Sequence, residues 1–139
     1  MKAVIRISGL VEIDRTVEET LSRMRLRRKY TLVLLPATST TNQLLKHVRN
    51  FVAYGDIDEV TLAALLQKRG QPIDKKKKID LSEAAAQLGK KTLEDLGIKP
   101  FFRLHPPRGG IDARLHFGVR KGVLGDNKEK INELIRRML

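Results

Sequence analysis

The sequence has no cysteine and no tryptophan. Without thiols it can form no disulfide and hold no metal through cysteine, which fits an intracellular protein. Aromatic residues make up only 4% of the chain, which argues against a base-stacking platform for single strands. No apolar run approaches the ~20 residues that span a bilayer, so no membrane partner is expected. Met1-Lys2-Ala3-Val4 opens without a signal-peptide core. Acidic residues are also scarce, 16 against 28 lysines and arginines. The resulting net charge of +12 is unusual for a cytosolic enzyme. It suits a polyanionic partner, nucleic acid before an anionic membrane surface.

Catalytic chemistry has little to stand on. The histidines His47, His105 and His116 show no metal-site spacing with each other or with carboxylates. There is no nucleophile elbow. Gly109-Gly110 lacks the lysine and the following helix of a phosphate loop. Carboxylates such as Glu19 and Glu129 sit where helices are expected to begin. The expectation is a protein that is not an enzyme, with no cofactor, no metal and no small-molecule substrate.

What is present is a core and a cationic cluster. The 139 residues, 41% of them apolar, suit one domain. Ala3 to Ser8 alternates and reads as a strand with one buried face. Thr16 and Glu19 form a capping box opening a helix whose Val17, Leu21 and Met24 share a face. Arg23-Met24-Arg25-Leu26-Arg27-Arg28-Lys29 then leads into Tyr30 to Leu35, an apolar and therefore central strand. An arginine cluster fixed between a helix and a strand presents fork-shaped donors to phosphates. A solvated helix end complementing the helix dipole is the plainer account.

Thr38 to Asn42 is a hydroxyl-rich turn, and Thr40 with Gln43 suggests a second capping box. A helix follows on Leu44, Leu45, Val48, Phe51 and Val52, with Lys46, Arg49 and Asn50 outward. Val52 to Ile57 reads as a third strand, weakened by Gly55. The order is β-α-β-α-β, with two helices on one face of a three-stranded sheet. Beyond it come a helix over Val60 to Arg69 and the Lys75–Lys78 run, a solvated loop or a phosphate-tracking one. Short helices are expected over Ser82 to Leu88 and Thr92 to Leu96. Phe101 to Leu104 is expected as a strand or a packed extended piece, and Ala113 to Val119 as a returning strand. A last helix, capped by Asp126 with Glu129, buries Ile131, Leu134, Ile135 and Met138.

Two stretches in this second half carry functional readings. Leu81 to Ile98 is faintly similar to a helix-turn-helix, giving the alternative of a DNA-binding regulator; its second helix is short and acidic. His105-Pro106-Pro107-Arg108-Gly109-Gly110 is not regular structure, because its prolines lack donors and its glycines free the backbone. Such a loop fits phosphate and ribose contacts in folded RNA, or is a simple turn.

The chain resembles the large-subunit ribosomal protein family called L-thirty in bacteria and archaea and L-seven in eukaryotes. Ile5-Arg6-Ile7-Ser8-Gly9, Leu26-Arg27-Arg28 and Leu44-Leu45-Lys46-His47-Val48 carry the resemblance in the core. Lys68-Arg69-Gly70, Leu88-Gly89-Lys90, Glu94-Asp95-Leu96, Pro106-Pro107-Arg108-Gly109-Gly110 and Gly125-Asp126-Asn127 through Met138 carry it in the second half. Its length matches the archaeal form. The resemblance implies an α+β fold, ferredoxin-like in part: a three-stranded antiparallel sheet with strand one between two and three, plus an α-rich extension. Residues 1–58 would be the RNA-binding core and 59–139 the extension packed on it as one unit. It further implies a cytoplasmic structural constituent of the large ribosomal subunit, with large-subunit ribosomal RNA and neighbouring ribosomal proteins as partners. The RNA-binding positions expected on these motifs are Arg25, Arg27, Arg28, Thr40, Thr41, Asn42, Lys46 and Arg49, with Arg108, Gly109, Gly110 and His116 in the extension.

Overall fold

Ala3, Val4 and Ile5 are all fully buried, yet successive side chains of a strand point to opposite faces. Their strand, β1 (Lys2–Arg6), is therefore covered on both sides. The computed structural model, which describes residues 1–139, shows why. β1 lies between β2 (Thr31–Leu35) and β3 (Val52–Asp56), antiparallel to both, with Val4 opposite Val33 and Tyr54. The alternation in Ala3 to Ser8 predicts one buried face. Val4 and a buried Arg6 make it two; β2 is interior as expected, and so is β1.

The sheet does not stop at three strands. β4 (Phe102–Arg103) adds antiparallel to β2, with Thr31 opposite Arg103. β6 (Gly122–Asp126) adds parallel to β3, and β5 (Asp112–His116) pairs with β6. The order is β4-β2-β1-β3-β6-β5. This corrects the expected three-stranded antiparallel sheet with an α-rich extension: the fold is α+β, but the sheet is mixed and six-stranded. The β6 run, Gly-Val-Leu-Gly, is too short and too glycine-bounded to show strand periodicity.

Helices cover both faces. On the face of Val4, Val33 and Val52, α1 (Arg15–Arg23) packs Val17 and Leu21, and α2 (Ser39–Val48) packs Leu45 and Val48. On the face of Ala3, Ile5, Leu32 and Phe102 lie α3 (Glu59–Arg69), α4 (Leu81–Gln87) and α5 (Ile131–Met138), contributing Leu65, Leu66, Ala84, Ile131 and Ile135. Each large apolar side chain so buried contributes about 1.5–3 kcal/mol. The second layer is thus as much part of the core as the first.

The helix starts differ from the expected capping boxes. Asp14 accepts from the Thr16 amide at the start of α1, and Thr38 accepts from the Thr41 amide at the start of α2. In both, the acceptor two or three residues upstream is nearer the orphan amides than Thr16 or Thr40. Thr92 to Leu96 forms turns, not a helix: Thr92 and Asp95 exchange the bonds of a capping box, but Gly97 at a φ of 75° ends the segment after a single turn. Without that helix the second unit of a helix-turn-helix is missing. Asp126 accepts from the Lys128 amide at 2.9 Å and opens a short 3-10 turn over Lys128–Lys130 ahead of α5.

Gly55 is a requirement of this packing and not a weakness in β3. A Cβ there would lie 2.1 Å from the Lys128 carbonyl oxygen and 2.9 Å from Ile131 side-chain carbons. Only glycine lets the entry to α5 rest directly on the strand.

Candidate nucleic-acid interface

Between the end of α1 at Arg23 and the start of β2 at Thr31 the chain must reverse, and it does so with alternating burial. Met24 and Leu26 point into the core, while Arg25, Arg27 and Arg28 are exposed. Arg25 and Tyr30 both take positive φ, 63° and 58°. Two non-glycine residues held in this sparsely occupied region define a loop fixed by its surroundings.

The fixing group is Arg6. From β1 its buried guanidinium donates to the Leu26 carbonyl at 2.6 Å and to the Gly9 carbonyl at 2.5 Å. The Tyr30 amide closes the loop onto the Arg6 carbonyl at 2.8 Å. Burial pulls the Arg6 guanidinium below its ordinary pKa, and Glu18 partly opposes this. It still carries the charge that strengthens both bonds.

Across the loop stands β4. Because Phe102 points into the core, Phe101 and Arg103 face the other way. They meet Arg25, Arg27 and Arg28 around a cleft of about 440 Å³. No carboxylate lines it. Glu94 reaches it from outside and pairs with Arg25, while Arg27 and Arg28 have no acidic partner. The sequence resolved three of these four arginines. Arg103 was hidden in a two-residue strand whose neighbour is far away in sequence.

The α2 positions divide. Thr41 is buried and its hydroxyl is shared with Thr38 at 2.9 Å. Thr40, Asn42, Lys46 and Arg49 are exposed. Asn42, Lys46 and Arg49 follow helical spacing and form one polar stripe. The helix leads from the end of β2 at Leu35 back to the start of β3 at Val52, so Thr40 and Asn42 lie at the Leu35 end and Arg49 at the Val52 end. Near Arg49 is Tyr54, whose hydroxyl is pushed up mainly by burial and then by Asp126.

The His105–Gly110 segment is built as an open loop. The His105 and Arg108 amides donate to the Met138 and Arg137 carbonyls, at 3.0 and 3.1 Å. Arg137 returns two bonds, to the carbonyls of Arg108 at 2.8 Å and Gly110 at 2.5 Å. Arg108, Gly109 and Gly110 are exposed. Beside the loop is a second groove of about 280 Å³ carrying Arg120, Lys121, Lys130 and Arg137. The Lys130 ammonium lies 5.8 Å from the Phe117 ring centre. His116 is exposed on edge strand β5. The structure therefore gathers Arg25, Arg27 and Arg28 into one basic patch and sets the Arg108–Gly110 loop beside another, toward opposite edges of the sheet, and leaves the α2 residues Thr40, Asn42, Lys46 and Arg49 outside the lining of both. Arg103, Arg120, Lys121 and Lys130 belong to these patches without having been singled out by any local motif.

No helix is long and apolar enough to cross a membrane. No group of three or more His, Asp or Glu side chains is placed to hold a metal ion.

No protein-family model matches the chain. Curated relatives do. The large ribosomal subunit protein uL30 of Nanoarchaeum equitans is 39% identical, over 99% of this chain and 97% of its own length. That of Archaeoglobus fulgidus is 39% identical over 99% of both, and that of Aeropyrum pernix 38% over 99% and 98%. With end-to-end matches at this identity, the chain belongs to the uL30 family of large ribosomal subunit proteins.

Proposed function

We propose that the protein is a structural constituent of the large ribosomal subunit in the cytoplasm, binds large-subunit ribosomal RNA, and adjoins neighbouring ribosomal proteins. It does no chemistry on the RNA; it fixes local RNA geometry through phosphate and sugar contacts. The observation that best supports this is the cleft of four arginines without a lining carboxylate, on a chain of net charge +12. Like charges held this close repel unless an anion sits among them.

Residues 1–58 form the RNA-binding core in this reading, with Arg25, Arg27, Arg28, Thr40, Asn42, Lys46 and Arg49 toward RNA. Thr41 acts through the α2 cap, given its buried hydroxyl. Residues 59–139 are the extension, packed as one unit with the core, and present Arg108, Gly109, Gly110 and His116.

The test is a salt titration of binding to large-subunit ribosomal RNA against random duplex DNA of equal charge. A preference for the ribosomal RNA that persists as salt rises is expected of a shaped site. Equal affinities that collapse together would reduce the surface to a non-specific polycation and overturn the reading.

A further inference from the structure

We propose that the cleft between the Arg25–Arg28 loop and β4 receives a single unstacked RNA nucleotide, with its phosphate among the arginines and its base against Phe101. This rests on the RNA-binding reading and specifies what one part of that surface recognises. The cleft has two chemically different walls. Arg25, Arg27, Arg28 and Arg103 supply guanidinium forks, while Pro100 and Phe101 supply an apolar one. A site for phosphate alone has no use for the second wall, and its volume of about 440 Å³ is several times what a phosphate group fills.

Phe101 is only half-buried. One side of it packs on the cluster that holds Val4, Leu21 and Leu26, and the rest opens into the cleft. The Arg103 guanidinium lies over the ring, 6.0 Å from its centre. Folded RNA offers splayed-out bases that stack on aromatic rings and on guanidinium planes, and here a base entering the cleft meets the Arg103 plane and the part of the ring that it leaves uncovered. The scarcity of aromatics rules out a platform for a run of bases, but one ring suffices for one base. The walls come from distant segments held in place independently. Arg6 pins the loop, and pairing of Thr31 with Arg103 fixes β4.

The experiment uses the full chain and large-subunit ribosomal RNA. Phe101→Leu keeps apolar volume and removes the π face; it is expected to weaken binding about 5- to 100-fold with the salt slope unchanged. Phe101→Tyr keeps the ring and should stay within about twofold. Arg103→Gln should lose affinity and flatten the slope by about 0.7, the single-strand value for one phosphate. Base-reactive probing of the wild-type complex gives an answer that does not depend on folding of any variant: one unpaired nucleotide should become protected. An abasic replacement at that nucleotide should weaken the wild-type protein and leave Phe101→Leu unaffected.

If Arg103→Gln flattens the slope while Phe101→Leu binds as wild type, the cleft takes a phosphate and no base, and the proposal is wrong. Variants that both match wild type, on a protein that still prefers ribosomal RNA, would put the cleft outside the interface and overturn this inference alone. Loss of that preference in the wild-type protein removes the RNA-binding reading and this inference together.

Discussion

The Arg6 guanidinium holds the Leu26 carbonyl at 2.6 Å, so a residue of the central strand sets the position of the arginine loop. Replacing Arg6 by Met is expected to cost about 3 kcal/mol. It strands the Leu26 and Gly9 carbonyls and removes charge-assisted bonds worth about 1.5–3 kcal/mol each, non-additively. Urea unfolding measures it; a loss under about 1 kcal/mol would mean that the loop holds itself. RNA affinity should fall as well, because the arginines lose their fixed spacing.

Arg25, Arg27 and Arg28 are exposed, so replacing all three by Ala should leave the unfolding midpoint nearly unchanged. RNA binding should weaken. The slope of log affinity against log salt should flatten by about 0.9 for each phosphate that is no longer neutralised on duplex-like RNA. An unchanged slope would remove these arginines from the interface.

On the proposed interface, Glu94 would compete with RNA for Arg25. Their ion pair is half-exposed on both sides, a setting in which such pairs contribute about 0–1 kcal/mol. Glu94→Gln should therefore barely alter stability and should tighten RNA binding by up to about fivefold. Weaker binding would show instead that Glu94 orients Arg25 for its partner.

Asp58 caps α3 by accepting from the Thr61 amide at 2.6 Å, and it pairs with Arg136 of α5 at 3.1 Å. The Thr61 hydrogen bond, with Arg136 as a lesser contributor, holds its carboxyl below the ordinary value. A depressed folded-state pKa means stability present above the unfolded value and lost as pH falls through the folded one. Asp58→Ala is expected to cost about 1–2 kcal/mol at neutral pH, as cap removal does. Asp58→Asn should narrow the gap between the unfolding midpoints at pH 6 and pH 3 (about a unit either side of the carboxylate range). If the gap stays as wide as in wild type, the group does not carry acid sensitivity.

Gly55→Val should be more damaging than its place at a strand end suggests. Its side chain would meet the Lys128 carbonyl and Ile131, and overpacking of this kind costs about 1–3 kcal/mol. Loss of α5 helicity by circular dichroism checks it. A fully stable variant would show that the 3-10 turn can shift without cost.

The legible parts of the fold were those whose signal is local. The stripe of Val17, Leu21 and Met24, the terminating Gly70 and the buried face of Ile131 to Met138 all follow from spacing along one helix. β4 lies within the expected Phe101 to Leu104 stretch, but its place beside β2 follows from pairing across the sheet, as does the whole of β6. The same division runs through the site. Arg25, Arg27 and Arg28 stand together in sequence, while Arg103 joins them only because β4 docks beside Thr31. In the sequence Arg6 is one polar position on a strand. Its burial depends on α1 and the loop closing over it, which no window around residue 6 contains.

The placement of β6 beside β3 also sets an order of assembly. Ala53 faces Gly125, so the far edge of β3 keeps its hydrogen-bonding groups open until the chain has been made almost to its end. β2 likewise waits for Phe102. A growing chain that has closed β1, β2 and β3 carries two bare strand edges and an uncovered face of Ala3, Ile5 and Leu32. Such edges are templates for pairing between chains, and contacts this distant in sequence form late. A nascent chain of this kind gains from early shielding, and its abundant positive charge, which keeps like chains apart, supplies some of it before any partner arrives.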